Sequence, residues 1–392
     1  MIQKISRRQF LILMGMTGVG AMTGRISFAT NSEPARFYFG VMSDPHGMTD
    51  SWVNALTELR DLKVNPPPEY GRAAFLLVAG DTNPIDRRNE DYLSVFKDKD
   101  APYFLPVIGN HEADDTGGFP GGMGMMGAGA GQPGGGSPPG GQPGQGIQPG
   151  MGQAPSGQQG QGGQAGLGQL PGGQSGQGGG GMNANDGNPA IIDMEFIRDK
   201  LIPALPNVVR MSATSCTYYW DYKNVRVISI DGYSGEAGTG GVINEKGRNW
   251  TEKAIASAPS TVDHIFVSFH APAFPRVRHT QDSFNADPEQ RNAFWNMLIA
   301  HKDKVRAVFC GHTHSYCRMR VLDPAGADAN DFSKYPDEAG GIYQINDGST
   351  GMGMKNTFVR VAIDGKKVSF RAYEADNGKD KPFAVKEEWT IV

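Results

Sequence analysis

The apolar positions fall mostly in short unbroken runs separated by longer segments of helical period. RFYFGVMS at Arg36–Ser43, AAFLLVA at Ala73–Ala79 and Tyr103–Ile108 each read as a strand buried on both faces. Between them, Asp50–Asp61 has the apolar spacing of a helix, with Asp50 as its expected N-cap, and a second helix is expected near Asn89–Lys97. A further helix is expected at Pro189–Lys200. Thr217–Tyr222 and Val225–Ile230 alternate and flank Lys223-Asn224, which predicts a hairpin. Helices near Glu245–Ser257 and Pro288–His301 then alternate with apolar strands at His264–Phe269 and Val305–Cys310. The last quarter reads as strands at Tyr316–Leu322, Gly341–Ile345, Thr357–Ile363 and Lys367–Tyr373. Early βα alternation followed by later antiparallel strands predicts an α/β protein with two sheets and helices outside.

Two stretches do not belong to that pattern. From Gly117 to Gly187 there are 31 glycines in 71 residues, with Gln, Pro, Ser and Met filling most of the rest and no charge before Asp186. Such a segment cannot bury enough apolar surface to offset its ordering entropy, so disorder is expected, and the absence of a G-X-Y period excludes collagen. Residues 1–29 carry Lys4, Arg7 and Arg8 before a modest apolar run, Phe10 to Met22, and end on Ser27-Phe28-Ala29. That is the layout of an export signal, too short and too glycine-rich for a stable membrane span. Ser6-Arg7-Arg8-Gln9-Phe10-Leu11 resembles a twin-arginine signal, which implies transient contact with that export machinery and a periplasmic or secreted bacterial protein.

Setting both stretches aside leaves 30–116 and 188–392, for which one large domain, interrupted by 117–187, is the simplest count. About 48% of it is apolar counting glycine, the usual share for a globular core. The signal holds four basic and no acidic residues, so its removal takes the formal charge from −4 to −8. An acidic body argues against nucleic acid as a partner. Three cysteines, Cys216, Cys310 and Cys317, permit at most one internal disulfide and exclude a disulfide scaffold.

Candidate chemistry gathers where buried strands give way to loops. Asp44-Pro45-His46, Gly80-Asp81, Gly109-Asn110-His111-Glu112, His270 and Gly311-His312-Thr313-His314 each follow an apolar run. Strand carboxyl ends are where open α/β sheets bind ligands, and glycine there lets the chain turn sharply toward the crevice. Five of the eight histidines lie in these motifs. Imidazole, carboxylate and carboxamide together suit Mn, Fe, Zn or Ni without any thiolate. Seven ligands with one carboxylate bridging suffice for two divalent ions with room for water or substrate.

The order D-x-H, GD, GNHE, a lone H and GHxH resembles the calcineurin-like metallophosphoesterases, over essentially the whole domain. The resemblance implies a four-layer α/β/β/α sandwich with a binuclear centre at one sheet edge, and makes 117–187 an insertion within that single domain. It places Asp44, His46 and His314 on the first metal and Asn110, His270 and His312 on the second, with Asp81 bridging. Asn110 and His111 would serve catalysis, His111 as a donor to the phosphoryl group or the leaving oxygen. The implied activity is hydrolysis of a phosphate mono- or diester by a hydroxide held between the ions. Where the purple acid phosphatase branch has glycine and tyrosine, this chain has His46 and Pro84, which disfavours a ferric–tyrosinate centre. Pro84 also removes the aspartate that partners the catalytic histidine in the phosphoprotein phosphatases; Asp86 and Glu112 are the candidates to replace it.

Weaker features surround these motifs. Arg276, Arg278 and His279 either receive a substrate phosphate or form a solvated basic loop. The glycine-rich loop Tyr233–Gly241 is a candidate cover for the site, and Asn346–Gly353 a candidate to approach the metals. Cys310 reads as a buried small side chain, and His264 and His301 as structural. The alternative function is a non-catalytic metal-binding scaffold or interaction protein on the same fold, or a metal store. Against it, every ligand of the family pattern is present.

Overall fold

In the computed structural model the described residues are 34–62, 70–97, 101–113, 189–328 and 332–391. The expected export signal at 1–29 and insertion at 117–187 lie outside them. Along the chain run β1 (Arg36–Met42), α1 (Thr49–Asp61), β2 (Ala73–Val78), α2 (Ile85–Val95), β3 (Tyr103–Pro106) and the single turn α3 (Asn110–Ala113). Then come α4 (Pro189–Phe196), β4 (Val209–Arg210), β5 (Tyr218–Tyr222), β6 (Val225–Ser229), β7 (Gly238–Thr239) and β8 (Val242–Ile243). The remainder is α5 (Glu245–Ala256), β9 (His264–Ser268), α6 (Pro288–Ala300), β10 (Val305–Cys310), β11 (Tyr316–Val321), β12 (Ile342–Asp347), β13 (Asn356–Asp364), β14 (Lys367–Ala375) and β15 (Ala384–Ile391).

These strands form a six-stranded sheet, β15-β14-β13-β1-β2-β3, and a seven-stranded sheet, β11-β12-β10-β9-β6-β5-β4, besides the β7–β8 hairpin. Both are mixed. β1, β2 and β3 are parallel, as are β6, β9, β10 and β12. The expectation of a wholly antiparallel tail is corrected at β12, which pairs parallel with β10. The sheets face each other across an aromatic layer: Phe39 stacks on Phe75 at 4.2 Å and meets Phe266 edge-on at 5.3 Å, while Phe75 meets Trp220 at 5.5 Å. Such pairs add about 0.5–1.5 kcal/mol each beyond the burial itself.

Helices cover the outer faces. On α1, Trp52, Ala55, Leu56 and Leu59 are buried at helical spacing, and Trp52 Nε1 donates to the Arg88 carbonyl of α2. On α6, Trp295 packs against Phe274 at 4.9 Å and donates to the Val321 carbonyl of β11. Asn244 caps α5 by accepting from Gly247 N, and Asp287 caps α6 by accepting from Gln290 N, with Pro288 at the first helical position.

Three expectations are corrected. α1 starts at Thr49, so Asp50 lies in its first turn, where its charge suits the helix dipole, and does not cap it. α2 starts at Ile85 and not near Asn89; its first amide is capped by Asp193 Oδ1 at 3.0 Å, from a residue far along the chain. The helix expected to run to Lys200 is α-helical only to Phe196 and then widens into a π turn, Ile197–Leu201. Among the described residues no helix is long and apolar enough to cross a membrane.

Candidate metal centre

The parallel strands β1, β2, β3, β9 and β10 each hand a motif to the same edge of the sandwich. Four of the motif residues, Asp44 (φ 49°), Asp81 (φ 55°), His312 (φ 68°) and His314 (φ 51°), themselves take the left-handed conformation. That conformation costs a non-glycine residue about 1–2 kcal/mol, so surrounding bonds must hold it. They do: Asp44 N donates to Gly80 O (3.1 Å), His46 N to Asp81 O (3.3 Å), and His312 N to both Asp44 carboxylate oxygens (3.2 and 3.1 Å). The motif glycines were expected to supply the turns. Gly80 does, at φ 93°, but Gly311 supplies room instead: a Cβ there would lie 2.5 Å from Asp44 Oδ2.

All seven expected ligands converge. Asp44, His46, Asp81 and His314 bring one donor atom each within 4.8 Å of one another, and so do Asp81, His270 and His312. Asp81 belongs to both groups, and all these side chains are buried. His46 Nε2 and His314 Nε2 are 3.4 Å apart, and His314 Nε2 is 3.2 Å from Asp44 Oδ1. Asp81 Oδ2 lies 3.2 Å from His270 Nε2 and 3.8 Å from His46 Nε2. Asn110 Oδ1 sits between His270 Nε2 (3.1 Å) and His312 Nδ1 (2.9 Å). Converging nitrogen and carboxylate lone pairs, buried and without a thiolate, fit divalent transition metals.

The supporting bonds aim these atoms inward. His270 Nδ1 faces the Ala79 carbonyl at 2.7 Å, which places its proton there and leaves Nε2 as the ligand atom. Asp81 Oδ1 accepts from His111 N at 3.0 Å, freeing Oδ2 for the centre. The Asn346–Gly353 loop does reach the site, as a clasp on the first motif. Ser349 Oγ donates to Asp44 O and Thr350 Oγ1 to Ser43 O, both at 3.0 Å, while Met48 N donates to Gly351 O.

Charge is unevenly held. Burial opposes the Asp81 carboxylate, but His270, His111 and His46 hold it well below the usual range. Burial lowers the basicity of His270, yet Asp81 reverses this and carries its pKa up to about 10. Burial pulls His46 down to about 4 and, aided by His270, His312 to about 2. At pH 7 His46 and His312 therefore offer lone pairs, whereas His270 must lose a proton to bind a cation. Loading the centre at pH 7 is accordingly expected to release about one proton, and affinity to rise about tenfold per pH unit between pH 7 and 10. Calorimetric titration of the cation in buffers of different ionisation enthalpy measures that proton.

His111 is the half-exposed member. Its Nε2 lies 3.9 Å from Asp81 Oδ2, and its ring is 4.4 Å from that of His46, so it borders the centre and faces solvent. Neither residue considered as its partner fills that role. Glu112 turns inward: Oε2 accepts from Gly109 N (2.7 Å) and Asp81 N (3.0 Å), and Oε1 from Thr82 Oγ1 (3.3 Å). Asp86, on the exposed side of α2, accepts from Arg87 N. Glu112 is thus a brace between two motifs, and burial pushes its carboxyl up to about 8.

Arg276 is also corrected. Buried at 2% exposure, its guanidinium donates to the carbonyls of Pro275, Ala327 and Lys334, which ties the loop down. Arg278 does reach the site, donating through a terminal nitrogen to His314 Nδ1 at 3.1 Å. Asp282, which had no motif to reveal it, lies beside His279 and accepts from His312 Nε2 through its carbonyl at 3.3 Å. The Tyr233–Gly241 loop folds into the β7–β8 hairpin region, with the Tyr233 ring 6.1 Å from that of His270. His264 is structural, bonded to Gly365 O and Arg306, and all three cysteines are free and buried.

No family model matches the sequence, and no curated protein matches it. Among solved structures the chain is similar to purple acid phosphatase PPD1 from yellow lupin (Lupinus luteus) seeds, with 12% identity and a TM-score of 0.51. That match covers 92% of this chain and 54% of the lupin protein, so the chain spans about half of its length. A dimetal phosphatase from Danio rerio matches with 10% identity and a TM-score of 0.47 over 92% of this chain and 99% of that one. A double mutant of Vps29 from Entamoeba histolytica matches with 9% identity and a TM-score of 0.32 over 91% and 100%. At such identities the likeness is one of architecture, an α/β sandwich of two mixed sheets between helices.

Proposed function

We propose that this chain is a binuclear metal-dependent phosphoesterase that hydrolyses a phosphate mono- or diester. The observation that carries this reading is the sharing of buried Asp81 between two clusters of ligand atoms. Asp44, His46 and His314 would hold one divalent ion and Asn110, His270 and His312 the other, as Mn, Fe, Zn or Ni. When bound, such a pair supplies Lewis acidity and lowers the pKa of water enough to give a nucleophile near neutral pH.

The chain's own residues supply the rest. The backbone bonds to Asp44, Asp81 and His312 fix their carboxylate and imidazole groups before substrate arrives, so little reorganisation is needed during reaction. His111 borders the centre and is open to solvent, and would donate to a phosphoryl oxygen or to the leaving oxygen. The acidic body makes an extended nucleic acid a poor substrate, whereas a small or exposed phosphate ester reaches the edge freely. Residues 1–29 support export by a twin-arginine route, hence a periplasmic or secreted enzyme that folds before it crosses.

The test is assay of the metal-loaded protein on matched aryl phosphate mono- and diesters. Hydrolysis of either supports the reading and their ratio assigns the class. Two bound ions without turnover on either would support the scaffold alternative.

A further inference from the structure

The loop after β9 presents a chain of three polar side chains that the motif reading does not use. Val277 has φ 72°, and Arg278 N donates to Arg276 O at 2.8 Å, which together make a γ-turn of the rare, strained hand. For a β-branched residue this backbone is an outlier, and Val277 gains nothing from burial, being 70% exposed. What the turn achieves is to point Arg278 and His279 back over the metal ligands. Buried Arg276 anchors it on one side, and Ser283 Oγ, donating to His279 O at 2.8 Å, on the other.

The protons of this chain can be assigned from its partners. Asp282 Oδ2 lies 2.7 Å from His279 Nδ1, so that nitrogen carries the proton. His279 Nε2 then has a lone pair, and Arg278 donates to it at 2.8 Å. The same guanidinium donates through its other terminal nitrogen to His314 Nδ1 at 3.1 Å. A guanidinium has only N–H groups to offer, so His314 Nδ1 must accept. A neutral imidazole holding a cation through Nε2 carries its proton on Nδ1, where it would meet the guanidinium donor to donor. The Arg278–His314 bond and ligation by His314 therefore exclude each other, whereas the Arg278–His279 bond is compatible with both.

We propose that Arg278 is an exchangeable anion-binding arm, tethered by His279 and Asp282, that leaves His314 when that ring ligates a cation and turns its freed guanidinium edge to an anionic oxygen of the substrate. This deepens the phosphoesterase reading and rests on it for the identity of the anion. His279 and Asp282 act as positioning residues. Although His279, Asp282 and His312 also bring ligand atoms within 4.8 Å, the Arg278 charge against the His279 ring opposes a third cation there.

The arm has a signature that a structural role lacks, because its removal acts on two ligands in opposite directions. In Arg278→Gln, affinity of the chelator-stripped protein for Mn²⁺ is expected to rise about tenfold. Affinity of the loaded protein for inorganic phosphate is expected to fall by about 10–100-fold, the worth of a charge-assisted pair. Arg278→Lys should fall between, lacking the planar fork. Asp282→Asn should shift phosphate affinity the same way by less. Both ligands are followed by calorimetry, with a melting curve for each variant to confirm the fold. Affinities that fall together, or phosphate affinity unchanged within about twofold, would overturn the proposal. Because binding alone is read, a protein that hydrolyses nothing can still pass, so failure of the arm and failure of the phosphoesterase reading remain distinct.

Discussion

Asp81→Asn is expected to cripple phosphate-ester hydrolysis, lowering kcat/KM by about 10²–10³-fold, the scale on which one preorganised group contributes to such sites. The substitution keeps the side chain's shape and an oxygen for His111 N, so the local turn survives. What is lost is the carboxylate that the Asp44–His46–His314 group shares with the His270–His312 group. It is also the charge that keeps His270 protonated, so in the variant His270 drops toward neutrality under its burial. The cation content should therefore fall along with the rate, while the proton released on loading at pH 7 disappears. Metal analysis and calorimetry of wild type and variant check all three outcomes; a variant that keeps two ions and its rate would remove Asp81 from the centre.

Gly80→Ala tests the same centre through its backbone. The residue has φ 93°, and an added Cβ would lie 2.4 Å from His270 Nδ1 and 2.7 Å from Cγ of the same ring. His270 cannot retreat cheaply, because its Nδ1 is bonded to Ala79 O and its Nε2 faces Asp81 and Asn110. The left-handed backbone costs alanine about 1–2 kcal/mol and the overlap about 1–3 more. A loss of about 2–5 kcal/mol in unfolding free energy is expected, with weakened binding of the cation that needs His270. A change below about 0.5 kcal/mol would mean that this close approach is not what holds the ring.

Most of the fold, and the gathering of the motif side chains at one edge, were legible because they rest on local signals. Unbroken apolar runs marked β1, β2, β9 and β10, and the polar residue after each marked the crevice, since a parallel strand that ends at one edge must deliver its next side chain there. The parts that were not legible depend on partners distant in sequence. The cap of α2 comes from Asp193, and the brace of Glu112 spans two motifs. β15 was missed because its charged AVKEEW run looks like loop; its order comes from pairing with β14 and from Trp389 stacked on Phe370 at 4.9 Å. Arg276 and Arg278, two residues apart in one basic run, looked equivalent. Only the γ-turn between them sends one into the core and the other to His314.

The most direct test of a binuclear phosphoesterase is to strip the protein with chelator and follow aryl phosphate hydrolysis as Mn²⁺ is returned in measured equivalents. The rate should stay near zero without cation, rise, and saturate at about two ions per chain, with Asp81→Asn flat throughout. A wild-type protein that binds two ions and stays inert on both mono- and diesters would contradict it.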